Sequence, residues 1–381
     1  MSQASEPGES STGFNRSITV AALIVGPNIY ETGNINELRK RNSEAEMVAL
    51  INQMPGDIFA NAQFAAADLR KEFNAMLPTH RDFWDQCQMP SYVFCGQNPE
   101  RAASAAKRNL RTRSNMWATP TGLYATRNTH ARYYDYDIGS TGLAFGKTWQ
   151  LNNNRMIGIA FGYDYARVEM QGVAQNDDMQ SFDLAIYGGK HELRGDFTDW
   201  HIGYAKNGHD TKRIVGGTIN ESNYHDNVFS FGITTGRHIG IWTPSIGVEA
   251  IQVWSPAHTE FGGSIYSLNV NRSRYTSLEI PIGTRLSKTL HRRCGADLTP
   301  ELRAFWVPQL GDTSSSMRAS FASGGSDFLV DSGKFGGSHG RFGAGLTFKF
   351  KNSLSASVNY DAAVYTGQTR QIATTSMTLR F

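Results

Sequence analysis

The sequence predicts an all-β membrane barrel: twelve antiparallel transmembrane strands with an N-terminal helical segment in or near the lumen. Three observations carry that prediction. Period-two alternation dominates from about residue 116 and runs into the carboxyl terminus. There Met377, Leu379 and Phe381 share one face, and Ser376, Thr378 and Arg380 the other. The alternating runs reach 11 residues and more, whereas strands of soluble sheets are usually about 5–6 residues long. Connections at one rim are tight and several at the other are long, the pattern of transmembrane barrels.

Composition agrees with this class and narrows the others. The chain has 381 residues, 40% of them hydrophobic, and a mean hydropathy of −0.40. No run approaches the roughly 18–20 apolar residues of a spanning helix; Ile18–Val25 is too short. Barrel strands need only one apolar face, so they escape that test. A net charge of +3 is too small to imply a nucleic-acid partner. The 38 Gly, 21 Phe, 15 Tyr and 7 Trp suit many strands with close lumen packing and interfacial aromatics. Three cysteines, Cys87, Cys95 and Cys294, include no CxxC pair, so no zinc site is expected. Cys87 and Cys95 would pair only in an oxidising compartment; two free thiols are the alternative. The opening MSQASEPGESS has neither the basic nor the apolar region of a secretory signal. A mature outer-membrane protein with this start is expected to be a fragment or a truncated reading frame.

Residues 1–34 read as polar coil with one short strand-like run, 35–115 as a helical region, and 116–381 as the barrel. In RNSEAEMVALINQMP, Ser43 and Glu46 have the spacing of a capping box, and Pro55-Gly56 ends that helix. A second helix, Asp57–Leu77, stops at Pro78. Its 21 residues span about 31 Å, close to the hydrocarbon thickness of roughly 30 Å. Ala60, Ala62, Ala65, Ala66, Ala67 and Ala75 keep it slim. An Ala-rich helix in a soluble core has the same pattern, and the strands that follow decide between the two.

Those strands are expected near 116–126, 133–150, 155–169, 178–190, 196–206, 226–238, 241–254, 274–288, 297–308, 339–350, 353–365 and 370–381. The long loops are then 207–225, 255–273 and 309–338. In RFGAGLTFKF, Phe342, Ala344, Leu346, Phe348 and Phe350 oppose Arg341, Gly343, Gly345, Thr347 and Lys349. In IGIAFGYDY, Ile157, Ile159, Phe161, Tyr163 and Tyr165 oppose Gly158, Ala160, Gly162 and Asp164. Alternation alone does not say which face is outside. Aromatics near the strand ends, the strand lengths and the loop asymmetry favour an apolar face turned to lipid. The last strand must then pair with the first, because an open edge in lipid leaves backbone groups unsatisfied.

With these features in place, residues of about 44–381 resemble the C-terminal translocator domain of the autotransporters, the type V secretion system of Gram-negative bacteria. INQMPGDIFANAQFAAADLRKEFNAML is similar to the helical segment before such barrels, with Met54-Pro55-Gly56-Asp57 in place of the usual Leu-Ser-Gly-Glu. YDYDIGSTGLAFGKTW, MIGIAFGYDYARV and LTPELRAFW resemble barrel strands two, three and nine. GRFGAGLTFKFKNSLSASVNYDAAVYTG and TSMTLRF resemble the last three, with Lys351-Asn352 at the tight turn. The resemblance implies a barrel in the bacterial outer membrane that lets an N-terminal passenger reach the cell surface and then anchors it. It implies outer-membrane lipid, the barrel-assembly machinery and the chain's own passenger as partners. Met377, Leu379 and Phe381 become the membrane-assembly signal, and residues 1–34 a residual passenger or linker. Some members cut their linker between two asparagines inside the pore. The pairs here lie in Asn152-Asn153-Asn154, at an expected periplasmic turn.

Enzymatic chemistry finds no support in the motifs. His80–Asp82 reads HRD without the Gly-rich loop or DFG of a kinase. No G-x-S-x-G occurs with a plausible triad, no HExxH spacing occurs, and nothing calls for a cofactor. His209, Asp210, His225 and Asp226 are expected in one external loop, as solvated polarity rather than a site. The lumen face is expected to carry Glu249, Glu279, Arg285, Glu301, Arg303, Arg341, Lys349, Asp361 and Arg380. Buried charges must pair or stay hydrated. This ring is expected either to hold Arg70, Lys71 and Glu72 of the helix or to brace the wall by cross-strand pairs. The basic segment Pro99–Arg113 is the rival plug. A porin-like channel has the same barrel without a helix to fill it, and a soluble β-rich adhesin has no use for the loop asymmetry.

Overall fold

The computed structural model describes residues 53–78, 114–127, 135–152, 154–192, 195–262, 265–291, 296–332, 337–350, 354–365 and 368–380. Among the described residues, twelve antiparallel strands close into a barrel preceded by one helix. The helix is α1 (Asp57–Met76). The first six strands are β1 (Ser114–Arg127), β2 (Tyr136–Asn152), β3 (Arg155–Met170), β4 (Gln175–His191), β5 (Asp196–Val215) and β6 (Thr218–Arg237). The others are β7 (Trp242–Ser255), β8 (Ser273–Glu279 and Ile282–Ser287), β9 (Ala296–Val307), β10 (His339–Phe350), β11 (Leu354–Tyr365) and β12 (Gln368–Arg380). Each pairs with its neighbours, and β12 returns to β1 with Asn115 opposite Arg380 and Arg127 opposite Gln368. The seam skips Thr119 and Pro120; Pro120 has no N–H to give the ladder.

All twelve expected strands are present, with shifts at their ends. Two expectations are corrected. Residues 207–225 are not a loop: β5 and β6 run on as one hairpin to a turn at Gly216-Gly217, where both φ angles are positive. Both faces of this extension are mostly polar, so it lacked the continuous apolar stripe that marks a strand in lipid. The second correction is in β8, which is broken at Ile280-Pro281 rather than continuous. Pro281 cannot donate to the ladder, and the two halves pair with different stretches of β7. Residues 309–312 cover the free edge of the first half through Leu310 N–H to Leu278 O (2.8 Å) and Asp312 N–H to Thr276 O (2.7 Å).

The apolar face points outward. Phe161, Tyr163, Phe182, Leu184, Ile186, Ile202, Phe229, Phe231 and Ile233 are exposed on β3–β6, while alternate residues face the lumen. The long connections 256–272 and 308–338 meet at the rim that carries the β5–β6 hairpin tip. They form a second, four-stranded sheet there: His258–Thr259, Leu268–Val270, Ser316–Phe321 and Phe328–Asp331. The opposite rim has short turns, among them 238–241 between β6 and β7.

The helix lies inside. Eighteen of its residues are buried, Lys71 is half-buried and Ala75 exposed. An isolated helix this polar would not be a core element. It is enclosed because wall residues are small where it passes: Ala144, Ala160, Ala185 and Ala205 are buried facing it. A Cβ on Gly162 would collide with the Phe73 ring, and one on Gly203 with the Arg70 guanidinium. The capping-box segment with Ser43 and Glu46, the rival plug 99–113, Cys87, Cys95, Cys294, His80–Asp82, Lys351-Asn352 and Phe381 lie outside the described residues.

Candidate functional site: the occupied lumen

The site is the interface between α1 and the barrel wall, and it has two halves. At the long-loop rim the contact is mainly apolar, with Gln63 Nε2 donating to Ser255 at 2.8 Å among the apolar side chains. Met54, Ile58, Phe59, Phe64 and Leu69 pack with Tyr224, Leu268, Val270, Tyr275, Phe321 and Val330 in one cluster. Phe59 meets the His258 ring edge-on at 5.0 Å, and Phe64 lies 4.6 Å from Tyr275. The second sheet thus puts its greasy face down on the first turns of the helix.

Toward the short-turn rim, ionic contacts take over. Arg70 Nη1 is 2.6 Å from Asp183 Oδ1, and both groups are buried. Arg70 Nε also donates to Ser230 at 2.8 Å. Lys71 Nζ reaches Glu279 at 2.6 Å. Asp68 accepts from Arg370 at 2.9 Å, and Glu72 accepts from Ser140 at 2.9 Å. Asn74 donates to Glu249 at 3.1 Å. Phe73, Met76 and Leu77 close this end against Trp117 and Tyr187, whose side chains share a 2.8 Å hydrogen bond. Below them the lumen widens into a cavity of about 300 Å³ lined by Arg285, Arg303, Arg341 and Asp361 among others.

The nine expected lumen charges therefore divide. Glu249 and Glu279 hold the helix. Arg285 lies 3.1 Å from Glu301, and Arg303 is 2.6 Å from Glu301 and 2.9 Å from Asp361; these brace the wall. Arg341 sits over the Phe305 ring at 5.2 Å. Lys349 is buried in the wall, and the Arg380 side chain lies outside the described residues. Asp183, Arg370 and Ser140 were not foreseen. The signal was available for Asp183, which takes the inward parity of β4 against outward Phe182, Leu184 and Ile186. It was weak for Ser140 and Arg370, whose outward neighbours are Gly139 and Thr141 in the one case and Thr369 and Gln371 in the other.

The four polar residues assigned to an external loop also separate. His209 is buried between two carboxylates, with Nδ1 2.8 Å from Asp177 and Nε2 3.0 Å from Asp226. Its ring stacks on Tyr224 at 4.4 Å. Asp210 and His225 face outward from the hairpin and are exposed. With both imidazole nitrogens engaged, this trio joins β4, β5 and β6 rather than presenting a reactive group.

A family model, the autotransporter beta-domain, matches residues 116–361. The chain belongs to the autotransporter beta-domain family. Its barrel resides in the bacterial outer membrane and serves translocation. The long-loop rim is then extracellular and the short-turn rim periplasmic. Among solved structures, the translocator domain of autotransporter NalP from Neisseria meningitidis is similar with a TM-score of 0.57 and 15% identity. The match covers 76% of this chain and 98% of that one. The beta domain of the Bordetella autotransporter BrkA gives 0.52 and 13%, covering 70% and 98%. At such identities they show the shared fold. A search of curated proteins finds no match. A porin-like reading is less favoured, because the lumen of this autotransporter barrel holds a helix bonded to its wall.

Proposed function

We propose that α1 is the joint between an exported passenger and its anchor, left in the translocation path with its amino-terminal end on the extracellular side. Support comes from its direction and its grip. Asp57 lies under the extracellular sheet and Leu77 near the periplasmic rim. Arg70–Asp183, Lys71–Glu279 and Asp68–Arg370 tie it to three different parts of the wall. Residues 1–34 are then passenger or linker, 35–115 the linker and plug region, and 116–381 the anchor. The barrel performs no catalysis of its own, and the free energy for export comes from the passenger folding outside and from accessory factors.

The single observation that carries this reading is the buried, ion-paired helix filling the lumen. Removing residues 1–78 should raise single-channel conductance in planar bilayers several-fold. If conductance rises only when 79–113 are also removed, the plug is Pro99–Arg113 instead.

Assembly is proposed to depend on the terminal strand, whose Met377, Leu379 and Phe381 offer the barrel-assembly machinery an apolar face. Met377 is exposed on β12. Deleting Phe381 should abolish the heat-modifiable barrel in the membrane fraction while synthesis continues; normal amounts of folded barrel would refute this.

A further inference from the structure

At the extracellular mouth the chain enters α1 through Gln53–Gly56, and two barrel side chains meet it there. Arg213, on β5, is 0% exposed. Its guanidinium has five N–H donors, and all five are used. Nε and Nη2 form a fork on Glu260 at 2.9 and 2.6 Å. Nη2 also donates to Tyr266 O at 2.7 Å. The Nη1 donors go to the carbonyls of Gln53 (3.1 Å) and Met54 (2.8 Å). Gln175, at the start of β4, is 3% exposed. Its Nε2 donates to Pro55 O at 3.2 Å and Gln53 O at 3.4 Å. Its Oε1 accepts from Ile58 N–H at 3.3 Å.

Three features set this apart from ordinary packing. Every hydrogen bond these two side chains make with the 53–58 stretch is to a main-chain atom. The helix brings no cap of its own, since Gly56 at the N-cap has no side chain; Gln175 satisfies the orphan Ile58 N–H from the wall. The Arg213 guanidinium is also held by the wall itself, because Glu260 orients its fork and Leu268 N–H in turn fixes Glu260 at 2.8 Å. A preorganised donor set aimed at carbonyls recognises peptide backbone and ignores side-chain identity.

We infer that Gln175 and Arg213 form an exit clasp: a peptide-backbone binding site at the extracellular mouth that holds the chain where it leaves the barrel, whatever its local sequence. The inference rests on the reading of α1 as the joint between passenger and anchor. It gives the wall a way to grip a linker whose side chains are free to vary. Charge-assisted bonds in a buried site supply the grip, and the apolar cluster beneath it excludes water.

Hydrogen exchange of the full-length barrel in detergent micelles tests this, read separately over peptides 54–60 and 68–77. Arg213→Met and Gln175→Leu should each speed exchange at 54–60 by roughly tenfold or more and leave 68–77 unchanged. Gln53→Ser removes only the solvent-exposed bond from Gly216 N–H to the Gln53 side chain and should leave 54–60 within about twofold of the parent. If Arg213→Met gives no heat-modifiable barrel, Gln175→Leu alone decides. Exchange at 54–60 that ignores both wall variants, with 68–77 still protected, would overturn the clasp alone. So would Gln53→Ser acting as strongly as the wall variants. Rapid exchange at 68–77 in the parent protein would overturn the lumen reading and the clasp with it.

Discussion

The two halves of the lumen hold one helix by different physics. Around Ile58 and Phe59 the extracellular half is an apolar core closed by the second sheet. Around Arg70 and Lys71 the periplasmic half is a set of charges, each with its own partner on the wall. Apolar burial is non-directional and scales with area, so the first half binds tightly but specifies little. A buried ion pair contributes little net stability, yet it penalises every arrangement in which a charge loses its partner. The first half therefore retains α1, and the second sets how far it is threaded and which face meets which strand.

The difference can be broken most severely in the ionic half. Arg70→Met alone leaves Asp183 buried without its cation, which should cost about 3–5 kcal/mol. Open-level bursts in planar bilayers should then rise by two orders of magnitude or more, at about 1.4 kcal/mol per tenfold. Combining Arg70→Met with Asp183→Leu should recover most of that loss. Ile58→Leu, a volume-conserving change in the apolar half, should cost under about 1.5 kcal/mol and barely change burst frequency. Equal effects from Arg70→Met and Ile58→Leu would mean that the two halves are not held differently after all.

The same contrast explains what the sequence made legible. A period of two is independent of which face is buried, so all twelve strands could be read from alternation. It failed where neither face is apolar, as in the outer hairpin. There Lys206, Asp210 and Lys212 face water and Asn207, His209, Thr211 and Arg213 face inward, and the segment read as coil. Glu279 was legible as a lumen charge because the outward face of β8 is plainly apolar. Its partner was less so, since Lys71 meets it across 208 positions of chain. Asp183 carried the same parity signal within β4. The clasp was not legible: a bond to a carbonyl leaves no mark on the residue that supplies it. The break in β8 was visible in principle, as Pro281 cannot serve a continuous interior strand.

The smallest expected effect sharpens the comparison from the extracellular side, where the apolar half is capped by an imidazole. His258 stacks on Tyr224 at 4.0 Å and takes the edge of Phe59. Its Nδ1 lies 3.2 Å from Pro256 O. Burial against these rings lowers its pKa from 6.5 to about 4; the Pro256 carbonyl and Asp177 oppose the shift, and cationic His209 adds to it. The fold thus favours neutral imidazole. Its contribution is fully present above pH 6.5, where the unfolded state is also neutral, and is lost as pH falls toward 4. Partial solvent access holds the effect to the order of 1 kcal/mol. Hydrogen exchange at 54–60 should therefore quicken between pH 6.5 and 4, once corrected for the intrinsic pH dependence of exchange, while 68–77 holds its protection. His258→Phe keeps an aromatic ring against Tyr224 and has no proton to gain, so it should flatten the response over that interval. An unchanged slope in His258→Phe would move the sensitivity elsewhere and leave the apolar cap indifferent to pH.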